Sequence, residues 1–150
     1  MTAAHVVAGV RHPTVQRRGT GRALPATTVS FDRRHDVAVL RVPALRAPAL
    51  RLTTARAGRS VAILGFPENG PFDAQPGRLG ITTTTVTAVA GRIRHGNSGG
   101  PAVDASGAVE TTIFAARVGS KSGFGVATRW TSRALANAGR RAVSTGACSA

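Results

Sequence analysis

Apolar residues along this chain come in short bursts broken by Gly, Pro and Arg. That punctuation predicts strands rather than helices. The runs 13–16 and 26–31 each read as a strand. Residues 36–42, Asp-Val-Ala-Val-Leu-Arg-Val, form the clearest one, ended by Pro43. A second strong strand spans 60–66, preceded by Gly58 and stopped by the turn signal Pro67-Glu68-Asn69-Gly70-Pro71. Residues 80–89 are Thr-rich and strand-like. Residues 102–104 and 108–115 predict a hairpin around 105–107, and 124–128 a last strand after the polar turn 119–123. Small residues around His5, stopped by Gly9, predict a tight turn or one helical turn. The single expected helix is 130–138, closed by Gly139, with Ser132 as its cap and Trp130 and Leu135 sharing a face. Residues 43–59, rich in Pro, Ala and Arg, read as a surface linker. Many short strands with one terminal helix predict an all-β barrel or sandwich.

Composition sharpens this picture. At 150 residues the chain suits one domain with a real core. Aromatics are 4% with no Tyr, so the core must come from Val, Ala, Leu and Ile. The net charge is +14, almost all of it Arg, with Lys121 the only lysine. Such a surface attracts anions nonspecifically. The arginines, however, are scattered in short pairs (Arg17-Arg18, Arg33-Arg34, Arg140-Arg141) with no aromatic interleaving. Specific nucleic-acid binding is therefore not expected. Cys148 is the single cysteine, and with no Cys/His cluster a structural metal is not expected. Cys148 is a spare thiol or half of a disulfide whose partner lies outside this chain. No apolar run approaches the roughly 18 residues of a membrane helix, and no signal-peptide pattern opens the chain.

The chemistry centres on Gly96-Asn97-Ser98-Gly99-Gly100-Pro101. Glycine admits positive φ and close approach to a ligand. A serine on such a turn can attack a carbonyl, while the N–H groups of Gly96 and Ser98 hold the oxyanion. The competing reading is an ordinary β-turn. A nucleophile needs a base and an orienter, and His5 and Asp36 lie upstream. The order His5, Asp36, Ser98 is that of the chymotrypsin-like architecture. Asp32 rivals Asp36 as orienter, but it precedes a polar turn whereas Asp36 starts the buried strand. His12, His35 and His95 read as surface residues, with lining of the substrate cleft the alternative for His95, which lies close to the site.

With TAAHVV at 2–7, HDVAVLRV at 35–42 and GNSGGP at 96–101, the chain resembles the trypsin/chymotrypsin-like serine proteases. GFPENGPF at 65–72, GRIRHGNSGGP at 91–101 and GFGVAT at 123–128 are similar to the MarP-type membrane-anchored actinobacterial proteases. HtrA/Deg-like proteases are the nearest rival, and the absence of a PDZ-like segment tells against them. The resemblance implies a double β-barrel endopeptidase acting on a peptide or protein substrate, without metal or cofactor, in an extracytoplasmic setting. Its membrane anchor would come from segments absent from this chain. Residues 1–57 would supply part of the first barrel and the linker, and 58–150 the second barrel and the helix. His5, Asp36 and Ser98 would be base, orienter and nucleophile. Arg92 and Ile93 would sit at the base of the primary pocket and Thr112, Ile113, Phe114 and Ala115 would form its wall, with Arg92 either favouring acidic or uncharged side chains or pointing to solvent. Asn97 stands where activatable trypsins carry an aspartate, which argues against that zymogen mechanism.

Against the same pattern, this chain begins four residues before its histidine, and 77–92 is shorter than in relatives. The first barrel is expected to be incomplete and the chain a fragment, as from a misplaced start codon. In the family a C-terminal cysteine pairs with one upstream of the histidine, which implies that Cys148 has lost its partner. The alternative function is a catalytically inactive fragment, or a basic β-fold binding module.

Overall fold

The structure, a computed structural model, describes residues 1–17 and 21–146. Arg18 and Cys148 lie outside the described residues. In chain order the elements are α1 (Ala4–Val7), β1 (Thr14–Val15), β2 (Leu24–Pro25), β3 (Thr27–Asp32), β4 (Val37–Arg41), β5 (Ser60–Gly65), β6 (Asp73–Thr82), β7 (Val86–Gly91), β8 (Pro101–Val103), β9 (Val109–Ala116), β10 (Ser122–Ala127) and α2 (Thr128–Ala136). The fold is all-β and chymotrypsin-like, with a short C-terminal helix.

Strands β5 to β10 close into one barrel in the order β10-β7-β6-β5-β8-β9. Its interior is filled by Val61, Ile63, Leu79, Val89, Ile93, Ala102 and Ile113. Each buried aliphatic side chain contributes roughly 1.5–3 kcal/mol. The amino-terminal half is smaller. Among the described residues it holds two separate antiparallel pairs, β1-β2 and β3-β4, and no closed barrel. Strand β4 is buried through Val37, Ala38 and Val39. Ala38 packs with Ala4 and Val7 of α1, and Val37 and Val39 pack with Val126 and Ala134. The helix and β10 thus glue the two halves together through aliphatic contacts, as a chain poor in aromatics requires.

Two expectations need correction. Residues 80–89 are not one strand: Thr83 to Thr85 form the turn of the β6–β7 hairpin. Strand β6 begins earlier, at Asp73, where Pro76 and Gly77 conceal it from a pattern reading. The helix starts at Thr128 rather than at Trp130, and Ala127 precedes it without a side-chain cap. Ser132 therefore lies inside it. Trp130 and Leu135 diverge by roughly 140° at 3.6 residues per turn. The packed face is instead Trp130, Ala134 and Ala138.

The linker 43–59 carries no regular element but is fastened at several points. Arg51 O accepts from Val109 N–H at 2.8 Å, and Thr53 N–H donates to Val109 O at 2.9 Å. Arg59 reaches Asp104 Oδ2 and Glu110 Oε1, each at 3.0 Å. Glu110 is fully buried, and its other oxygen accepts from Arg56 N–H at 2.9 Å. Asp104 organises the β8–β9 turn through Oδ1, which accepts from Ser106 Oγ and from the N–H groups of Ser106 and Ala108. The Ser106 hydroxyl first, then the two backbone bonds and the Arg59 charge, outweigh desolvation and lower its pKa from 3.8 to about 2. A depressed carboxyl pKa stabilises the fold above the unfolded value and loses that contribution as pH falls through the folded value. Urea midpoints measured between pH 5 and about 2 are expected to fall less steeply in Asp104→Asn than in the wild type. Identical slopes would show that the turn carboxylate plays no part in acid stability.

Candidate active site

His5 sits on the single turn of α1, held by a bridge in which Thr2 and Ala38 exchange N–H···O bonds of 3.0 and 2.9 Å. This sets His5 beside the start of β4. Asp36 precedes β4 in a left-handed conformation, φ 54°. Its carboxylate grips the histidine twice: Oδ1 accepts the backbone N–H of His5 at 2.8 Å, and Oδ2 lies 2.7 Å from ring Nδ1. A carboxylate only accepts, so Nδ1 carries the proton, and in the neutral ring the outer nitrogen, Nε2, keeps its lone pair. The His5 side chain is 46% exposed and that of Asp36 21%. The imidazole is anchored on one edge and open on the other.

Asp32 does not reach His5. It binds its own loop, accepting the backbone N–H of His35 at 3.0 Å and lying 2.7 Å from His35 Nδ1. Burial raises the Asp32 pKa, but the hydrogen bonds from the His35 ring and backbone prevail and hold it below 3.8. The His35 ring stacks on Trp130 with centroids 3.5 Å apart and is nearly covered, not a surface residue. Asp32 therefore shapes the turn that presents Asp36. His12 is exposed.

Ser98 lies on a turn fixed to the barrel. Gly99 N–H donates to Ile113 O at 2.7 Å, and Ile113 N–H to Gly100 O at 2.9 Å. Between Gly96 and Gly100, three backbone donors are spent: Asn97 N–H on Arg94 O, Gly99 N–H on Ile113 O, and Gly100 N–H on Asn97 O. The N–H groups of Gly96 and Ser98 find no acceptor among the described residues. Those are the donors an oxyanion needs. The buried Asn97 side chain braces the turn, its Oδ1 accepting Arg94 N–H at 2.9 Å. Gly96 has φ 89°, and a Cβ there would strike Phe66 O; at Gly99, φ 82°, it would strike Thr2 Oγ1. Any side chain at 99 would thus push the serine turn away from the segment that carries His5.

His5 and Ser98 line one cavity of about 570 Å³. No hydrogen bond joins Ser98 Oγ to His5 among the described residues; such bonds are often long without substrate and tighten when it binds. The cavity is also lined by the apolar Ile93, Phe114, Ala115, Ala116 and Val118 and by His95, Arg94 and Glu68. The expected lining needs correction at two positions, Thr112 and Ile113, and at Arg92 the solvent-facing alternative holds. Arg92 is exposed and does not line the cavity. Ile113 is fully buried in the barrel core, and Thr112 is buried away from the cavity. The pairing of β9 with β10 shifts register between Ala115 and Ile113; Phe114 is the extra residue of that bulge, and of the expected wall only Phe114 and Ala115 line the opening. Arg94 takes the place expected of Arg92, but its charge is engaged by Asp73 at 2.9 Å and, more distantly, by Glu68 at 3.8 Å. Glu68, Arg94, Ala116 and Val118 escaped the sequence reading. The Pro67–Asn69 turn that holds Glu68 was legible, but its bond from Glu68 N–H to His95 O at 2.7 Å was not. Among the described residues no cluster of His, Cys, Asp and Glu could hold a metal.

The serine protease Rv3671c of Mycobacterium tuberculosis (strain ATCC 25618 / H37Rv) is 34% identical to this chain, over 99% of this chain and 42% of the relative. The chain thus spans less than half the length of that curated relative. The crystal structure of the Rv3671c protease in its active form superposes with a TM-score of 0.91 at 33% identity, covering 99% of this chain and 73% of that one. Its inactive form gives 0.80 at 32% identity, over 92% and 77%. The model of the trypsin-like peptidase domain matches residues 1–109, a span that includes His5, Asp36 and the Ser98 turn. Sequence, backbone and the gripped histidine agree, and this chain belongs to the trypsin-like peptidase family.

Proposed function

We propose that this chain is a serine endopeptidase domain that cuts peptide bonds through an acyl-enzyme, with Ser98 as nucleophile, His5 as general base and acid, and Asp36 as orienter. The observation that carries this reading is the double grip of Asp36 on His5, across 31 positions of sequence, beside a cavity that His5 shares with Ser98. The closer superposition on the active than on the inactive form of a mycobacterial protease supports it. Ser98 Oγ attacks the scissile carbonyl while His5 Nε2 takes its proton. Asp36 fixes the tautomer and stabilises the imidazolium. The carbonyl oxygen becomes an oxyanion against the Gly96 and Ser98 N–H groups. As the intermediate collapses, the C–N bond breaks and His5 returns the proton to the leaving amine. Water, deprotonated by His5, then attacks the acyl-enzyme; collapse of that second intermediate frees the acid and restores the proton to Ser98.

The acyl side of the substrate lies along β9. Pairing of β8 with β9 ends at Pro101↔Thr112, which leaves the 114–116 edge open to an added strand. With Ile93, Phe114, Ala115, Ala116 and Val118 around it and Arg94 engaged by Asp73 and Glu68, the cavity suits an apolar side chain before the scissile bond. The resemblance to MarP-type proteases supports an extracytoplasmic setting for the chain; no helix among the described residues is long and apolar enough to cross a membrane.

A fluorophosphonate probe tests the reading. The folded wild type is expected to be labelled, with labelling abolished in Ser98→Ala. Folded wild-type protein that takes no label would instead favour a binding module.

A further inference from the structure

Ser98 lines a second cavity, to which β9 contributes no residue. It measures about 370 Å³ and is walled by Thr2, Leu64, Phe66, Phe72, Gly99 and Pro101. No charged side chain lines it, although the chain carries a net charge of +14. Phe72 is 55% exposed. It meets Phe66 edge to face, with ring centroids 5.6 Å apart and planes at 63°. A large apolar side chain held half in water beside a reactive serine is a surface that gains by being covered.

The loop that carries Phe72 is set firmly for this position. Glu68 and Asn69 adopt successive left-handed conformations, φ 56° and 57°, which non-glycine residues rarely occupy. Three backbone bonds hold it: Glu68 N–H to His95 O at 2.7 Å, Gly70 N–H to Pro67 O at 2.9 Å, and Phe66 N–H to Gly96 O at 3.4 Å. Two of them tie the loop directly to the serine turn, so the aromatic pair keeps a fixed relation to Ser98.

We infer that this second cavity is the leaving-group subsite, that it selects a large aliphatic or aromatic side chain within the first two residues after the scissile bond, and that Phe72 determines this specificity. The inference rests on the endopeptidase reading above. An extended peptide whose acyl side pairs with the 114–116 edge crosses Ser98 at the scissile carbonyl, and its continuation enters the cavity that shares Ser98. Burying an apolar side chain against Phe66 and Phe72 removes both partners from water, whereas an aspartate there would lose its hydration and meet no cation.

The test uses quenched-fluorescence peptides with one fixed acyl side and Phe, Leu, Ala or Asp at the first and second leaving-group positions. At one of the two positions, kcat/KM is expected to be about tenfold or more higher for Phe or Leu than for Asp. Phe72→Ala should shrink that ratio to roughly threefold or less. Fluorescence anisotropy of the same uncleaved peptides on Ser98→Ala protein reads the same preference without turnover. A flat response to the leaving-group residue in this binding series overturns the inference, as does a preference that survives in Phe72→Ala. A nitrophenyl ester, which has no leaving-group residues, separates the two failures. Absent ester hydrolysis and absent probe labelling count against the endopeptidase reading, whereas normal ester hydrolysis with flat peptide binding counts against the subsite alone.

Discussion

Asp36→Asn is expected to lower kcat about 10⁴-fold while KM and the melting temperature stay close to the wild type. The reason is the proton on the imidazole. Asp36 Oδ2 lies 2.7 Å from His5 Nδ1 and only accepts. An amide keeps the shape but can turn its NH₂ toward Nδ1, which moves the ring proton to Nε2. The nitrogen that should deprotonate Ser98 then has no lone pair. The backbone N–H of His5, gripped at 2.8 Å by Asp36 Oδ1, keeps an oxygen acceptor only if the amide presents its NH₂ to the ring. The geometry therefore favours the wrong tautomer. Stopped-assay kinetics beside a thermal melt check the result. Nearly full turnover in Asp36→Asn would mean that another group orients His5.

The largest stability effect should come from Arg59→Ala. Arg59 is about one-third exposed, but its partner Glu110 is fully buried. Removing the guanidinium leaves a carboxylate in the barrel wall with only Arg56 N–H as a donor. Breaking a buried pair from one side costs about 3–5 kcal/mol, and water access at Arg59 argues for the lower end. A melt should show a drop of roughly 6–12 °C in Tm. The double variant Arg59→Met with Glu110→Leu removes both charges and should recover most of the loss. A single variant melting within about 2 °C of the wild type would show that the pair is solvated and nearly neutral in energy.

Much of this architecture was readable because β-branched, apolar runs announce themselves. The strand expected over 36–42 is β4, Val37–Arg41, with Asp36 just outside it, and β5 and the β8–β9 hairpin were placed nearly to the residue. The start of β6 was hidden because Pro and Gly normally end strands, yet here Pro76 faces Ala62 and Gly77 faces Gly91 within the barrel. The helix start was misplaced because Thr128 donates its hydroxyl to Glu110 O, a long-range bond that no local capping rule foresees. At the site, the three residues of the proposed triad, His5, Asp36 and Ser98, stood out in the sequence since each lies in its own motif. The cavity wall was not: after β7 ends at Gly91 the chain has no regular period, so which of Arg92 and Arg94 turns inward depends on Asp73, about twenty positions away. Phe66 and Phe72 flank an obvious turn, but their meeting depends on the left-handed pair at Glu68 and Asn69.

The hairpin loop between β3 and β4 holds the same carboxylate–imidazole clasp twice, Asp32 on His35 and Asp36 on His5. Bond lengths do not tell the two apart: both rings lie 2.7 Å from an oxygen. Coverage does, because an indole roofs the His35 imidazole whereas the His5 side chain is 46% exposed. On the proposed function, the covered histidine of this chain is a construction joint, and the one the architecture leaves with a vacant doorway is the reagent.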